Sequence, residues 1–121
     1  MNETKQVRTD FNITALLEAT GGNEAFFQQM LNTFIENAEN TYNGLKDGLQ
    51  TKNWELIGEK AHKAIPSFKY FALNEFVNRF KLLEDITIRT PEYQRVPGVV
   101  NDLLKELEVL ISDVREVKFP E

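Results

Sequence analysis

The chain has 121 residues, and we expect residues 1 to 121 to form a single domain that buries a core without covalent cross-links. It has no cysteine, which excludes disulfide bonds and thiolate metal sites and fits a reducing, cytoplasmic setting. The net charge of -5 argues against nucleic acid as a partner, and no apolar run approaches the ~20 residues that membrane insertion needs.

The first half of the chain has apolar residues at helical spacing. A short amphipathic helix is predicted over Ile13 to Ala19, ended by Thr20-Gly21-Gly22, where glycine can adopt the left-handed C-cap conformation. Asn23 is predicted to cap the second helix. A bend near Thr41 to Gly44 leaves open whether this stretch is one broken helix or two helices. Its apolar residues are Phe27, Leu31, Phe34, Ala38, Leu45 and Leu49.

The second half continues the helical pattern, and no alternating strand pattern competes with it. The third predicted helix is central and keeps one apolar face for about five turns. A fourth follows after Ala72, its end is marked by Thr87 to Pro91, and the last helix opens at Pro97 after a loop. The apolar faces are Trp54, Ile57, Ala61, Ala64, Phe68 and Phe71 in the third helix, Leu73, Phe76, Phe80 and Leu83 in the fourth, and Val100, Leu103, Leu107, Leu110, Val114 and Val117 in the last.

Amphipathic helices joined by short loops bury their apolar faces most simply in a helical bundle. We therefore predict an all-α fold, an antiparallel up-and-down four-helix bundle with the short N-terminal helix capping one end. The same spacing suits an intermolecular coiled coil. The loops and the nine phenylalanines favour an intramolecular core instead, so we expect a monomer.

His62 is the only histidine of the chain and is predicted to face water on the central helix. At ~100° per residue it lies about 130° from the centre of the apolar face. A histidine at this position does not pack against the core. We therefore favour a chemical role for it over the alternative that it is a solvated surface histidine without a function. Lys69 lies two turns along on the same face and Lys63 is adjacent, so a cation is within reach of an anion carried by the imidazole.

The residues one turn to either side of the histidine are poor helix formers. Gly58 costs roughly 1 kcal/mol and Pro66 roughly 3 kcal/mol of helix propensity relative to alanine. Pro66 cannot donate a hydrogen bond to the preceding turn, so we expect the helix to kink or loosen there rather than end, since the apolar face continues in register. Glu59 shares the outer face, and Ile65 forms an apolar edge of the patch.

The histidine lies in the segment Ala61-His62-Lys63-Ala64-Ile65-Pro66-Ser67-Phe68. This segment resembles the signature Ala-His-x-Leu-Lys-Gly-Ser of the histidine phosphotransfer (HPt) domains of bacterial multistep phosphorelays. The double glycine within residues 16 to 26 and the later Leu82-Leu83-Glu84 are also similar to elements of that family. The resemblance covers nearly the whole chain except residues 87 to 97, and it implies a four-helix bundle with His62 as the phosphorylated residue.

The chain departs from the family pattern directly after the histidine. Ile65 stands where the family usually has a basic residue, and Pro66 stands where it usually has glycine. The lysine that would steady the phosphoryl group is therefore missing from its usual place. Lys69 is the candidate to replace it, and Lys63 is a weaker one because it points about 100° away.

The resemblance implies a phosphocarrier rather than an enzyme. An imidazole nitrogen would attack the phosphoaspartate of a response-regulator receiver or of a hybrid histidine kinase, and the reverse attack would pass the group to another receiver. The receiver would bring Mg²⁺, and we expect this chain to need no cofactor of its own. Gly58, Glu59, Ile65 and Pro66 are the candidate docking residues. No nucleotide-binding glycine loop is present, so phosphorylation from ATP is not expected.

Three other functions compete with this one. Glu59 and His62 have the Glu-x-x-His spacing of di-iron bundles, but such a site needs that motif twice and an inward face. A helical protein-interaction module without covalent chemistry would use Ile65 and Pro66 only for docking. The dimerising domain of a histidine kinase would have an acidic residue after the histidine, where this chain has Lys63.

Overall fold

The computed structural model describes residues 11 to 120, which contain helices and no β-strand, so the all-α class is confirmed. A π-helical turn at Asp85–Arg89 and a 3₁₀ turn at Tyr93–Arg95 connect the last two α-helices. The five α-helices of this part of the chain are α1 (Ile13–Ala19), α2 (Glu24–Thr51), α3 (Trp54–Tyr70), α4 (Asn74–Glu84) and α5 (Val96–Arg115).

The connection between α1 and α2 is formed as the sequence predicts. Gly21 and Gly22 have φ angles of +60° and +77°, the left-handed conformation that ends α1. Asn23 then caps α2, because its side-chain oxygen accepts a hydrogen bond of 2.8 Å from the backbone N–H of Phe26.

α2 is one continuous helix, so the expected interruption near Thr41 to Gly44 is wrong. The Thr41 hydroxyl donates a hydrogen bond of 2.9 Å to the backbone carbonyl of Asn37, so it is satisfied without an interruption of the helix. Gly44 contacts α3: a Cβ placed on it would lie 2.6 Å from Cγ of Lys60. This glycine therefore admits a neighbouring side chain rather than breaking the helix.

α3 continues past Pro66, which lies inside the helix. The proline removes one helical hydrogen bond but does not end α3, as the apolar pattern predicted. Phe68 holds the final turn, because its ring is fully buried and packs against Phe34 and Phe80 at centroid distances of 5.1 and 4.9 Å. Tertiary packing therefore outweighs the local cost of the proline.

The segment after α4 is more ordered than the predicted loop. The helical path continues from Glu84 into the π-helical turn, where the N–H of Thr90 donates to the carbonyl of Asp85 at 2.7 Å. α5 then begins at Val96, one residue before the predicted start. The turn contacts both α3 and α4.

The buried core lies between the four longer helices. α3 contacts α2 and α4, α5 contacts α2 and α4, and α1 contacts α2. In residues 11 to 120 no helix has both the length and the apolar character needed to cross a membrane. The fully buried large side chains include Phe27, Phe68, Phe80, Leu16, Leu31, Leu45, Ile57, Leu83, Ile86, Leu103, Leu107 and Leu110.

Candidate functional site

His62 lies on the outer face of α3 with 67% of its side chain exposed. The opposite face of the same helix is buried, including the neighbouring Ala61 and Ala64. The apolar spacing of α3 therefore turns the imidazole away from the core, as the sequence predicts, and leaves it accessible to a partner.

Glu84 is the residue that contacts this imidazole. Its Oε2 lies 2.9 Å from Nδ1 of His62, and its side chain is only 16% exposed. The carboxylate is thus held at the boundary of the core, at the end of α4, while the ring it contacts projects into solvent. The resemblance placed Glu84 in a family element, but the sequence did not identify it as the partner of His62.

The hairpin of α3 and α4 brings the two residues together. The helices are joined by residues 71 to 73, and Ala72 takes a left-handed φ of 59° in this turn. Leu73 lies eleven residues after His62 and eleven before Glu84. In a hairpin of two contacting helices, residues at equal distances from the turn lie side by side. The equal spacing of His62 and Glu84 from Leu73 was therefore the signal in the sequence that could have identified this pair.

The contact determines what each ring nitrogen can do. A carboxylate accepts hydrogen bonds, so Glu84 favours the tautomer of His62 that carries its proton on Nδ1. Nε2 is then the nitrogen that keeps its lone pair. In other proteins, a carboxylate on one ring nitrogen fixes the orientation of a histidine and leaves its second nitrogen available to bind or react.

Lys69 and Lys63 are both exposed on α3. Within residues 11 to 120 neither lysine makes an ion pair. Lys69 is seven residues beyond the histidine, two turns and about 10 Å along the helix axis, on the same face of α3. Lys81 is a further exposed cation, one turn before Glu84 on α4.

The four predicted docking residues lie in different surroundings. Glu59 and Pro66 are exposed, and Ile65 is half-buried against the core. Gly58 is buried, and a Cβ placed on it would lie 2.4 Å from Oγ1 of Thr87, inside the contact distance of any ordinary side chain. The prediction that Gly58 lies on the docking surface is therefore wrong, because the chain's own π-helical turn covers it.

An apolar groove of about 500 Å³ lies between α2 and α3, beyond Pro66 in the direction of the α3 C-terminus. Phe26 and Tyr70 stand at its edges with 46% and 51% of their surfaces exposed, and Ser67 belongs to its wall. The apolar spacing of α2 did not indicate this groove, since Phe26 falls outside the predicted apolar face of the helix.

The part of the chain that the structure describes holds no group of three or more His, Asp or Glu side chains placed to bind a metal ion. Comparisons of the chain with protein-family models, with curated proteins and with solved structures found no match.

Proposed function

We propose that this protein is a phosphocarrier of a two-component phosphorelay. His62 accepts a phosphoryl group from a receiver-domain aspartate and passes it to another receiver. The observation that carries the proposal is the exposed imidazole whose Nδ1 lies 2.9 Å from Oε2 of Glu84, because it leaves Nε2 accessible with its lone pair.

The transfer uses both nitrogens of the ring. The Nε2 lone pair attacks the phosphorus, the N–P bond forms, and the bond from phosphorus to the aspartyl oxygen breaks so that the aspartate leaves as a carboxylate. The Nδ1 proton stays on the ring, which becomes positively charged, and Glu84 stabilises that charge. The reverse step, with an aspartate of a second receiver as nucleophile, returns the ring to its neutral form.

The partner supplies what this chain does not. A receiver domain brings the Mg²⁺ that neutralises the phosphoryl oxygens, while this chain brings an oriented nucleophile and exposed lysines. Lys69 is proposed to approach the phosphoryl oxygens, with Lys63 as the weaker candidate. Glu59, Ile65 and Pro66 surround the histidine and form the proposed docking patch, which the apolar groove at Phe26 and Tyr70 extends.

We also propose that α2, α3, α4 and α5 form an antiparallel up-and-down bundle, with α1 capping one end, in a cytoplasmic monomer. Contacts that link late positions of one helix to early positions of the next support the bundle. Gly48 with Ile57 and Phe68 with Phe76 are such contacts. A bundle of this kind presents the outer face of one helix to a globular partner without any opening of the core.

The decisive experiment is phosphoryl transfer from phosphorylated receiver domains to the full-length chain. We expect a label that is stable in alkali and labile in acid, as for phosphohistidine, and that His62→Gln abolishes. Ser67→Ala is the matched control, because Ser67 is the nearest hydroxyl in the same segment and its loss leaves the label in place. A label that survives His62→Gln, or that resists acid, would exclude His62 as the acceptor.

A helical interaction module without covalent chemistry is the second candidate, favoured by the exposed Phe26 and Tyr70 beside an apolar groove. The same transfer series separates the two functions. A module of this kind would bind receivers equally well with His62→Gln and would take up no label from any of them.

A further inference from the structure

Gly58 occupies a position on α3 that no other residue could fill without moving its neighbours. It is buried in the second turn of the helix, and an added Cβ would lie 2.4 Å from Oγ1 of Thr87 and 2.6 Å from Cδ1 of Ile88. Ordinary carbon contacts begin near 3.5 Å. The absence of a side chain at residue 58 is therefore what lets the π-helical turn approach α3 this closely.

The same turn is tied to the residue that contacts the histidine. It begins directly after Glu84, and the Thr87 hydroxyl donates to the carbonyl of Leu83 at 2.6 Å and lies 3.4 Å from that of Glu84. Thr87 thus joins Gly58 to the last turn of α4. Isolated π-helical turns are rare and frequently occur beside functional sites.

The contact of Gly58 with Thr87 lies about one helical turn from the contact of His62 with Glu84. Gly58 is four residues before His62 on α3, and Thr87 is three residues after Glu84. We propose that Gly58 is a positioning residue: by admitting Thr87 and Ile88 against α3, it sets Glu84 on Nδ1 of His62. Its importance for phosphoryl transfer rests on the proposed function, whereas the positioning of the imidazole does not.

Distances set the size of the effect. Oγ1 of Thr87 and the added Cβ would have to lie about 1 Å farther apart than 2.4 Å to reach an ordinary contact distance, and the hydrogen bond of Oγ1 to Leu83 opposes a rotation of the side chain alone. The polar contact between Nδ1 of His62 and Oε2 of Glu84 measures 2.9 Å, and a nitrogen and an oxygen more than about 3.5 Å apart no longer form a hydrogen bond. We therefore expect a methyl group at residue 58 to separate the carboxylate from the ring even if the helices stay folded.

The test measures the tautomer of His62 directly. Because the chain has one histidine, uniform labelling with ¹⁵N-histidine gives the Nδ1 and Nε2 resonances of His62 alone. At a pH at which the ring is neutral, the wild type is expected to carry its proton on Nδ1, and Glu84→Ala provides the spectrum of the unpaired ring. Gly58→Ala is expected to move both resonances at least half of the way to the Glu84→Ala values.

Gly98→Ala is the matched control, because residue 98 is a helical glycine with nothing within 4 Å of an added Cβ. The ¹⁵N resonances of His62 in Gly98→Ala should be the same as in the wild type. Thr87→Val is a second perturbation that keeps the side-chain shape but removes the bond to Leu83, and it should shift the resonances in the same direction. It decides the question if Gly58→Ala fails to fold.

Folded Gly58→Ala and Thr87→Val proteins with wild-type resonances would overturn the proposal, as would a Glu84→Ala spectrum identical to that of the wild type. Phosphoryl-transfer assays then distinguish a failure of the positioning role of Gly58 from a failure of the phosphocarrier function. A tautomer shift in a protein that takes no phosphoryl group from any receiver would refute the phosphocarrier function while leaving the positioning role of Gly58 intact.

Discussion

His62 and Glu84 are 22 positions apart, yet Nδ1 of the imidazole lies 2.9 Å from Oε2 of the carboxylate across α3 and α4. The carboxylate is 16% exposed and the ring 67%, so the pair combines a shielded acceptor with an accessible nucleophile.

Glu84→Ala should slow phosphoryl transfer to His62 by about 10- to 100-fold, the usual effect of removing a group that orients a functional histidine. The reason is that Nε2 then carries the proton in part of the population and the charged intermediate loses its neighbour. Rapid-quench measurement of the labelled chain gives the rate. Glu36→Ala removes another carboxylate from an exposed helical position and should transfer at the wild-type rate; equal rates for both variants would contradict the role of Glu84.

Lys69→Ala should slow transfer or shorten the lifetime of phosphohistidine without a loss of stability, because the side chain is exposed and contributes charge alone. Lys105→Ala, an exposed lysine of α5, serves as the control for net charge. Transfer rates and the decay of the isolated phosphorylated chain are both measured. Unchanged values for Lys69→Ala would remove this lysine from the mechanism and leave Lys63 to be tested.

Phe68→Ala should lower the free energy of unfolding by about 3–5 kcal/mol, the cost of emptying a large buried aromatic site. The ring is fully buried and packs against Phe34, Phe76 and Phe80. Denaturant unfolding measures the loss. Phe26→Ala, at a residue 46% exposed, should cost far less, and similar losses at both positions would show that the core does not centre on Phe68.

Pro66→Ala should raise the free energy of unfolding by up to about 3 kcal/mol, because it restores a backbone donor to the carbonyl of His62 inside an intact helix. The proline is exposed, so no core contact is lost. Thermal and denaturant unfolding provide the measurement. Pro91→Ala, at a proline outside the helices, should show no such gain; a destabilised Pro66→Ala protein would mean that the proline ring makes a required contact.

We expect the free energy of unfolding to fall at alkaline pH because the Tyr42 hydroxyl ionises. Its hydroxyl donates to Glu108 at 2.6 Å, and this hydrogen bond, together with burial and the negative charge, raises the pKa of Tyr42 above its ordinary 10.0. The folded state therefore holds the proton more tightly than the unfolded chain, so the stabilisation is present below pH 10 and is lost as the pH rises through the folded-state pKa.

The comparison with Tyr42→Phe isolates this effect. At neutral pH the wild type should be the more stable protein, and its advantage should shrink and disappear above pH 10. Denaturant unfolding at a series of pH values measures the difference. An advantage that stays constant through this range would show that the bond to Glu108 does not contribute to stability.

Local features were predictable where neighbouring residues decide the structure. Asn23 caps α2 and Gly21-Gly22 end α1, since both depend on hydrogen bonds and backbone angles within one turn. The exposure of His62 follows from the apolar spacing of its own helix. The prediction of a bend near Gly44 was wrong. The sequence pattern is the same for a glycine that breaks a helix and for a glycine that makes room for a neighbouring side chain such as Lys60.

The amino-acid sequence by itself determined the helical class, the order of the helices and a histidine on a water-facing helix, because periodicity and caps act over a few residues. Only the tertiary structure decided what surrounds that histidine. Glu84 reaches it through the register of two packed helices, and Gly58 is covered by Thr87, a residue far along the chain. Such contacts depend on how the helices pack in three dimensions, which no local pattern records.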